Sequence, residues 1–197
     1  MDNFSDFREE ALDQQPLLYN TNLSSIQVDS DESVSVDGKT LPMDKSGFND
    51  LRSIAGVPKR FSRRADSRIG EGTSTQLVEA MRSGLANESD DPVSVAIDRS
   101  EETVVGINDD VGQMISLEGY FDLTERILDK YGLEIDDTVI GTDGTVRMSM
   151  IENDQQINLD GFGDALEDES FKAGISIASR LGQVEFESYL YRLICTN

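Results

Sequence analysis

The alternation of apolar and polar positions is clearest near the end of the chain. There two strand-like runs, 171–177 and 184–194, flank the turn-rich Ser179-Arg180-Leu181-Gly182. Residues two apart share a face of a strand, so this pair predicts a hairpin on which the rest of a sheet is built. Runs at 93–97 and 103–107, across the polar Arg99-Ser100-Glu101-Glu102, predict a second hairpin of half-buried strands. Short strands at 138–140, 145–151 and 156–159, broken at Asp143-Gly144 and Asn153-Asp154, read as a meander, and 160–169 as an acidic loop. A weaker pair at 26–28 and 34–36 precedes the turn dipeptide Asp37-Gly38.

Helical spacing recurs at four places. Leu117, Tyr120, Phe121, Thr124, Ile127, Leu128 and Tyr131 mark one face of the clearest helix, with Ser116 as N-cap and Gly132 past its end. Phe48, Leu51, Ile54 and Ala55 mark another, capped by Ser46 and closed by Gly56 and Pro58. Thr73 and Gln76 form a capping-box pair ahead of Leu77, Val78, Met81 and Leu85. Phe4, Phe7 and Ala11 precede Pro16 and support no more than a short or fraying helix. Residues 1–24 are therefore expected to be loosely attached, and 25–197 to form a single α+β domain. Its expected plan is a mostly antiparallel sheet joining 93–97, 145–151, 171–177 and 184–194, with the 117–131 helix packed on one face. In the last strand Glu185 and Glu187 oppose Val184 and Phe186, yet Tyr189, Tyr191 and Leu193 fall on the face of the glutamates. Burial of that strand's second half on both faces is expected, ahead of a bulge near Ser188.

Composition narrows the function classes. In 197 residues, 17 basic side chains face 39 acidic ones, and the net charge of −22 repels nucleic-acid phosphates and anionic lipid over the surface at large. Any nucleic-acid contact must then be local. No run of about 18 apolar residues suits a membrane span and no basic segment leads into an apolar one as in a secretory signal, so the expected setting is cytoplasmic. Cys195 is the single cysteine and histidine is absent, which removes an internal disulfide and the usual ligands of zinc and iron.

Residues 59–68, KRFSRRADSR, hold Lys59, Arg60, Arg63, Arg64 and Arg68, the one positive island in the chain. It reads either as a solvated linker that offsets neighbouring acids or as a phosphate-contacting patch. Other motifs fail on inspection. Gly38-Lys39-Thr40 lacks the glycine a phosphate loop needs five positions before Gly38, where Ser33 stands. The calcium-loop start at Asp29 has Val34 where glycine is required, and the 136–147 stretch ends on Arg147 where glutamate is required. Without histidine a serine or Cys195 nucleophile lacks its common base, and a carboxylate pair holding magnesium carries little weight where acids are so many. No catalytic residue, metal site or cofactor is expected.

The order Phe171-Lys172-Ala173-Gly174-Ile175, a turn containing Gly182, and Tyr191-Arg192-Leu193-Ile194-Cys195-Thr196-Asn197 resembles the signature of the phage/plasmid-like protein family, a domain of unknown function from phages, prophages and plasmids. Phe48-Asn49-Asp50-Leu51 through Gly56-Val57-Pro58, and Val104-Val105-Gly106-Ile107 before the Tyr120 helix, resemble further parts of it, so the likeness spans roughly 26–197. Gly174, Gly182, Arg192, Cys195 and Asn197 are its motif residues. Relatives continue past that asparagine into a largely helical region, and the expectation is a shortened, N-terminal portion. The resemblance implies a mobile-element origin and an α+β fold, without an established reaction. Three functions follow in order: a non-enzymatic accessory protein of replication or recombination, touching single-stranded nucleic acid or a host or phage protein through the basic island; an acidic inhibitor that imitates DNA to occupy a host enzyme; and a metal-dependent hydrolase.

Overall fold

The structure, a computed structural model, describes residues 2–30, 32–152, 157–158 and 170–193. It is an α+β fold with antiparallel sheets. In chain order come α1 (Asp2–Asp13), β1 (Leu17–Asn22), β2 (Ile26–Ser30), β3 (Ser33–Val36), β4 (Lys39–Pro42), α2 (Lys45–Ile54), α3 (Lys59–Arg68) and α4 (Thr73–Glu88). They are followed by β5 (Pro92–Ile97), β6 (Val104–Asn108), α5 (Leu117–Tyr131), β7 (Leu133–Ile140), β8 (Thr145–Glu152), β9 (Ile157–Asn158), β10 (Ser170–Arg180) and β11 (Gln183–Leu193). Where the sequence reading has one domain over 25–197, the chain divides into two compact units, each around its own apolar cluster.

One unit carries the sheets β1-β5-β6 and β2-β3-β4 with α2, α3 and α4. Its core gathers Ile26, Val28, Val34, Val36, Leu41, Leu51, Val78, Val93, Val95, Val104 and Ile107. β5 and β6 form the expected hairpin, but they are buried on both faces rather than half-buried, and β5 pairs on its other side with β1. β1 escaped the sequence reading because Leu17, Leu18 and Tyr19 are adjacent and followed by three polar residues, a run without apolar–polar alternation, and in the fold Leu17 and Tyr19 remain exposed. The Asp37-Gly38 turn joins β3 to β4. α2 is capped by Asp44, whose carboxylate accepts from Gly47 N at 2.8 Å, in place of Ser46. It closes where Gly56, at φ +67, lets Gly56 N reach Ser53 O and Val57 N reach Arg52 O, burying Val57. α4 starts one residue earlier than the capping box implies: Gly72 is its cap residue, and the Thr73 hydroxyl donates to Gly70 O. Its buried face is Ser74, Thr75, Val78 and Arg82, while Met81 and Leu85 are exposed. Arg82 can be buried because it donates to both Glu79 oxygens and to Leu23 O.

The other unit carries the sheet β11-β10-β8-β7, with β9 on β10, and helices α1 and α5. The final hairpin is present, turning at Leu181-Gly182, both at positive φ. Its register runs unbroken from Arg180 opposite Gln183 to Ser170 opposite Leu193, so no bulge stands near Ser188. α5 has the cap expected of it, Ser116 Oγ accepting from Gly119 N, and ends at Gly132. It packs on β7 and β10 through Leu117, Tyr120, Phe121 and Thr124, and Tyr131 turns out to be exposed. The Tyr120 hydroxyl donates to Ile177 O at 2.9 Å beneath the sheet. Residues 93–97, expected in this sheet, belong to the other unit. Where residues 1–24 were expected to be loosely attached, α1 sits on α5 with Phe7 and Ala11 buried and Phe4 and Phe7 edge-on to Phe121. Asn153-Asp154 and the acidic stretch 160–169 lie outside the described residues.

Candidate nucleic-acid interface

The basic island is a helix. Pro58, in extended conformation, opens α3, and Ser62 and Ala65 are its buried residues, packed toward α4. At about 100° per residue these two define one side. Lys59, Arg60, Arg63, Arg64 and Arg68 are all exposed and occupy the opposite half of the helix, with exposed Phe61 at its border. Asp66, the sole acid on α3, is turned away: its carboxylate accepts from Ser74 N at 2.9 Å and caps the start of α4. Hydrogen bonds from the Ser74 hydroxyl and backbone hold its carboxyl below the ordinary aspartate value.

This arrangement is electrostatically unfavourable in itself. Lys59 with Arg63, Arg60 with Arg64, and Arg64 with Arg68 are like charges four residues apart, each such pair costing about 0.2–0.5 kcal/mol. Lys59 and Arg60 also stand at the positive end of the helix dipole. Among the described residues none of the five has a carboxylate oxygen within 4.0 Å, although the chain holds 39 acids. The linker reading required those acids to offset the island, and the described ion pairs are elsewhere, at Arg8–Asp122, Lys39–Glu102 and Arg82–Glu79.

α2 and α3 also bound a cleft of about 750 Å³. Lys45 and Arg52 from α2 and Lys59, Ser62 and Arg63 from α3 are in its lining. Lys45, Arg52 and Ser62 were missed by the sequence reading. The only signal for them is that Lys45 and Arg52 lie seven residues apart on one face of α2, which means nothing until α3 is known to lie beside it.

The motif residues divide differently. Gly174 is buried in β10, and a Cβ there would overlap ring carbons of Tyr189, so glycine is what lets that ring lie across the strand. Gly182 makes the hairpin turn and Arg192 pairs with Phe171 in the backbone ladder. Cys195 and Asn197 lie outside the described residues. Comparison with protein-family models, curated proteins and solved structures returns no match. Among the described residues no three histidine, cysteine or carboxylate side chains gather to hold a metal ion, and no helix is long and apolar enough to cross a membrane.

Proposed function

We propose that this is a non-enzymatic nucleic-acid accessory protein that holds the sugar-phosphate backbone of a single strand on α3. The observation that carries this reading is the exposed half-helix of Lys59, Arg60, Arg63, Arg64 and Arg68 with no carboxylate partner among the described residues, in a chain of charge −22. A feature that lowers fold stability without a structural return is where function is to be sought. Five cations over a helix about 15 Å long suit a few successive phosphates. Phe61, 57% exposed, offers one ring for a base to stack on, so base preference is expected to be slight. The resemblance to the phage/plasmid-like family agrees with such a role in a phage, prophage or plasmid setting.

The test is fluorescence anisotropy with a labelled oligothymidylate. Near 20 mM salt, where screening extends to about 20 Å, binding should be detectable, and log affinity should fall with log salt at a slope no steeper than about −3.5. R60Q/R63Q/R64Q should abolish it with the circular-dichroism spectrum unchanged. Absence of binding to single or double strands at that salt overturns the reading.

A second reading has one observation in its favour. Glu118, Asp122, Glu125 and Asp129 are exposed along one face of α5, an acidic stripe of the kind a DNA-imitating inhibitor would present to a host enzyme. Their mean step of about 5.5 Å compares with 3.4 Å per phosphate along the duplex axis, which makes the stripe a poorer copy of DNA than α3 is a phosphate cradle.

A further inference from the structure

We infer that the cleft between α2 and α3 receives the terminal phosphomonoester of the strand that α3 holds; this rests on the reading above and assigns the bound strand an end. Four cations surround the space: Lys45 and Arg52 from α2, Lys59 and Arg63 from α3. Lys59 and Arg63 thus belong both to the cleft and to the exposed basic face, which makes the two continuous. Ser62, also in the lining, is 6% exposed, and its hydroxyl is buried with no hydrogen-bond partner among the described residues. A buried hydroxyl without a partner costs stability. Ser94 in β5 is in the same state among the described residues, and what sets Ser62 apart is its place in a lining that also holds four cations.

The carboxylates in the same lining do not pair with those cations. Asp44 is engaged at the start of α2 and Asp66 at the start of α4, each accepting a backbone N–H where the helix dipole is positive. Glu32 is the third, and none of the three lies within 4.0 Å of a cationic nitrogen among the described residues. Arg52 donates to Val57 O at 3.2 Å, which fixes one guanidinium nitrogen and leaves the rest of its fork for a ligand.

Charge decides between a strand end and an internal phosphate. The two helices are joined by only residues 55–58, which keeps Arg52 near the end of α2 close in the chain to Lys59 and Arg63 of α3. A phosphomonoester carries about −1.5 to −2 charge and three strong acceptor oxygens, against a single charge on a diester, and so uses several donors at once.

The experiment compares internally labelled oligothymidylates bearing a 5′-phosphate, a 3′-phosphate or hydroxyls at both ends, near 20 mM salt, with thymidine monophosphate as competitor. One phosphorylated end should bind about tenfold tighter than the hydroxyl oligomer. K45Q and S62A should bring that ratio to about one while leaving affinity for the hydroxyl oligomer nearly unchanged. Loss of an unpartnered hydroxyl should not unfold the protein, so S62A stays interpretable even if K45Q misfolds. R64Q/R68Q, on the exposed face outside the cleft lining, should weaken all three oligomers and keep the ratio. The monophosphate should compete at least tenfold more weakly than the phosphorylated oligomer, since it makes no contacts along α3. Equal affinity for phosphorylated and hydroxyl oligomers, an undiminished ratio in S62A, or a monophosphate as tight as the oligomer overturns the inference and leaves the backbone reading standing. Binding of none of the oligomers overturns both.

Discussion

Replacing Phe121 with alanine probes the contact on which the attachment of α1 depends. The ring is fully buried on α5, edge-on to Phe4 at 5.9 Å, Phe7 at 5.8 Å and Tyr120 at 5.2 Å, with the Arg8 guanidinium 5.8 Å from its centroid. Loss of a core phenylalanine costs about 3–5 kcal/mol, and the upper part of that range is expected because two α1 rings lose the surface they rest on. Domains carry roughly 5–15 kcal/mol in all, so the variant should be near the edge of folding. F7A should be costly for the same reason, and the double variant should be less destabilised than the sum by about 0.5–1.5 kcal/mol, the coupling of an aromatic pair. Urea unfolding followed by tyrosine fluorescence is suitable, since the chain has five tyrosines and no tryptophan. Two cores need not unfold in one step, so amide exchange read by mass spectrometry should localise the loss to α1 and α5. A change within about 0.5 kcal/mol, the range of surface substitutions, or strict additivity of F121A and F7A, would refute this packing.

Gly174→Ala should destabilise the β10–β11 hairpin by about 1–3 kcal/mol in thermal denaturation, because its Cβ would displace the Tyr189 ring and its bond to Met150 O; Y189L in the same chain should recover most of the loss. Arg82→Met should cost about 3 kcal/mol in urea, leaving Leu23 O and the half-buried Glu79 without their partner. Burial alone would raise the Glu79 carboxyl, but the Arg82 hydrogen bonds, the Val28 N–H and the Arg82 charge together bring it below the ordinary value. Its contribution is therefore present above the unfolded glutamate pKa and lost as pH falls through the lower folded one, so E79Q should flatten the acid limb of the stability profile. Burial pushes the Tyr120 hydroxyl up to about 12, so stability should fall as pH rises from about 10 toward that value, and Y120F should remove the last step of the phenolate absorbance titration.

What the sequence by itself determined is what short-range chemistry encodes. Ser116, Gly132 and seven positions at helical spacing delimit α5, since cap bonds and a 3.6-residue period need no distant partner. The turn dipeptide Asp37-Gly38 and the turn-rich 179–182 between two alternating runs likewise announce turns, while β4 after the first and the narrowing of the second to Leu181-Gly182 came only with the fold. The cluster of five cations was visible as charge, though its shape was not: in α3 only Ser62 and Ala65 mark a buried side, too small and too polar to register as an apolar stripe. Tertiary structure decided the rest, because the deciding contacts join residues far apart in the chain. Phe7 is buried by Phe121, Leu17 and its neighbours gain strand partners only from β5, and Arg82 replaces an apolar residue on the buried face of α4 because Glu79 and Leu23 O meet it there. Two separate cores in place of one follow from the same cause: periodicity says that a face is to be buried, and only packing says against what. The cleft between α2 and α3 exists for that reason alone, since Lys45, Arg52, Lys59, Ser62 and Arg63 become neighbours only when both helices are folded beside each other.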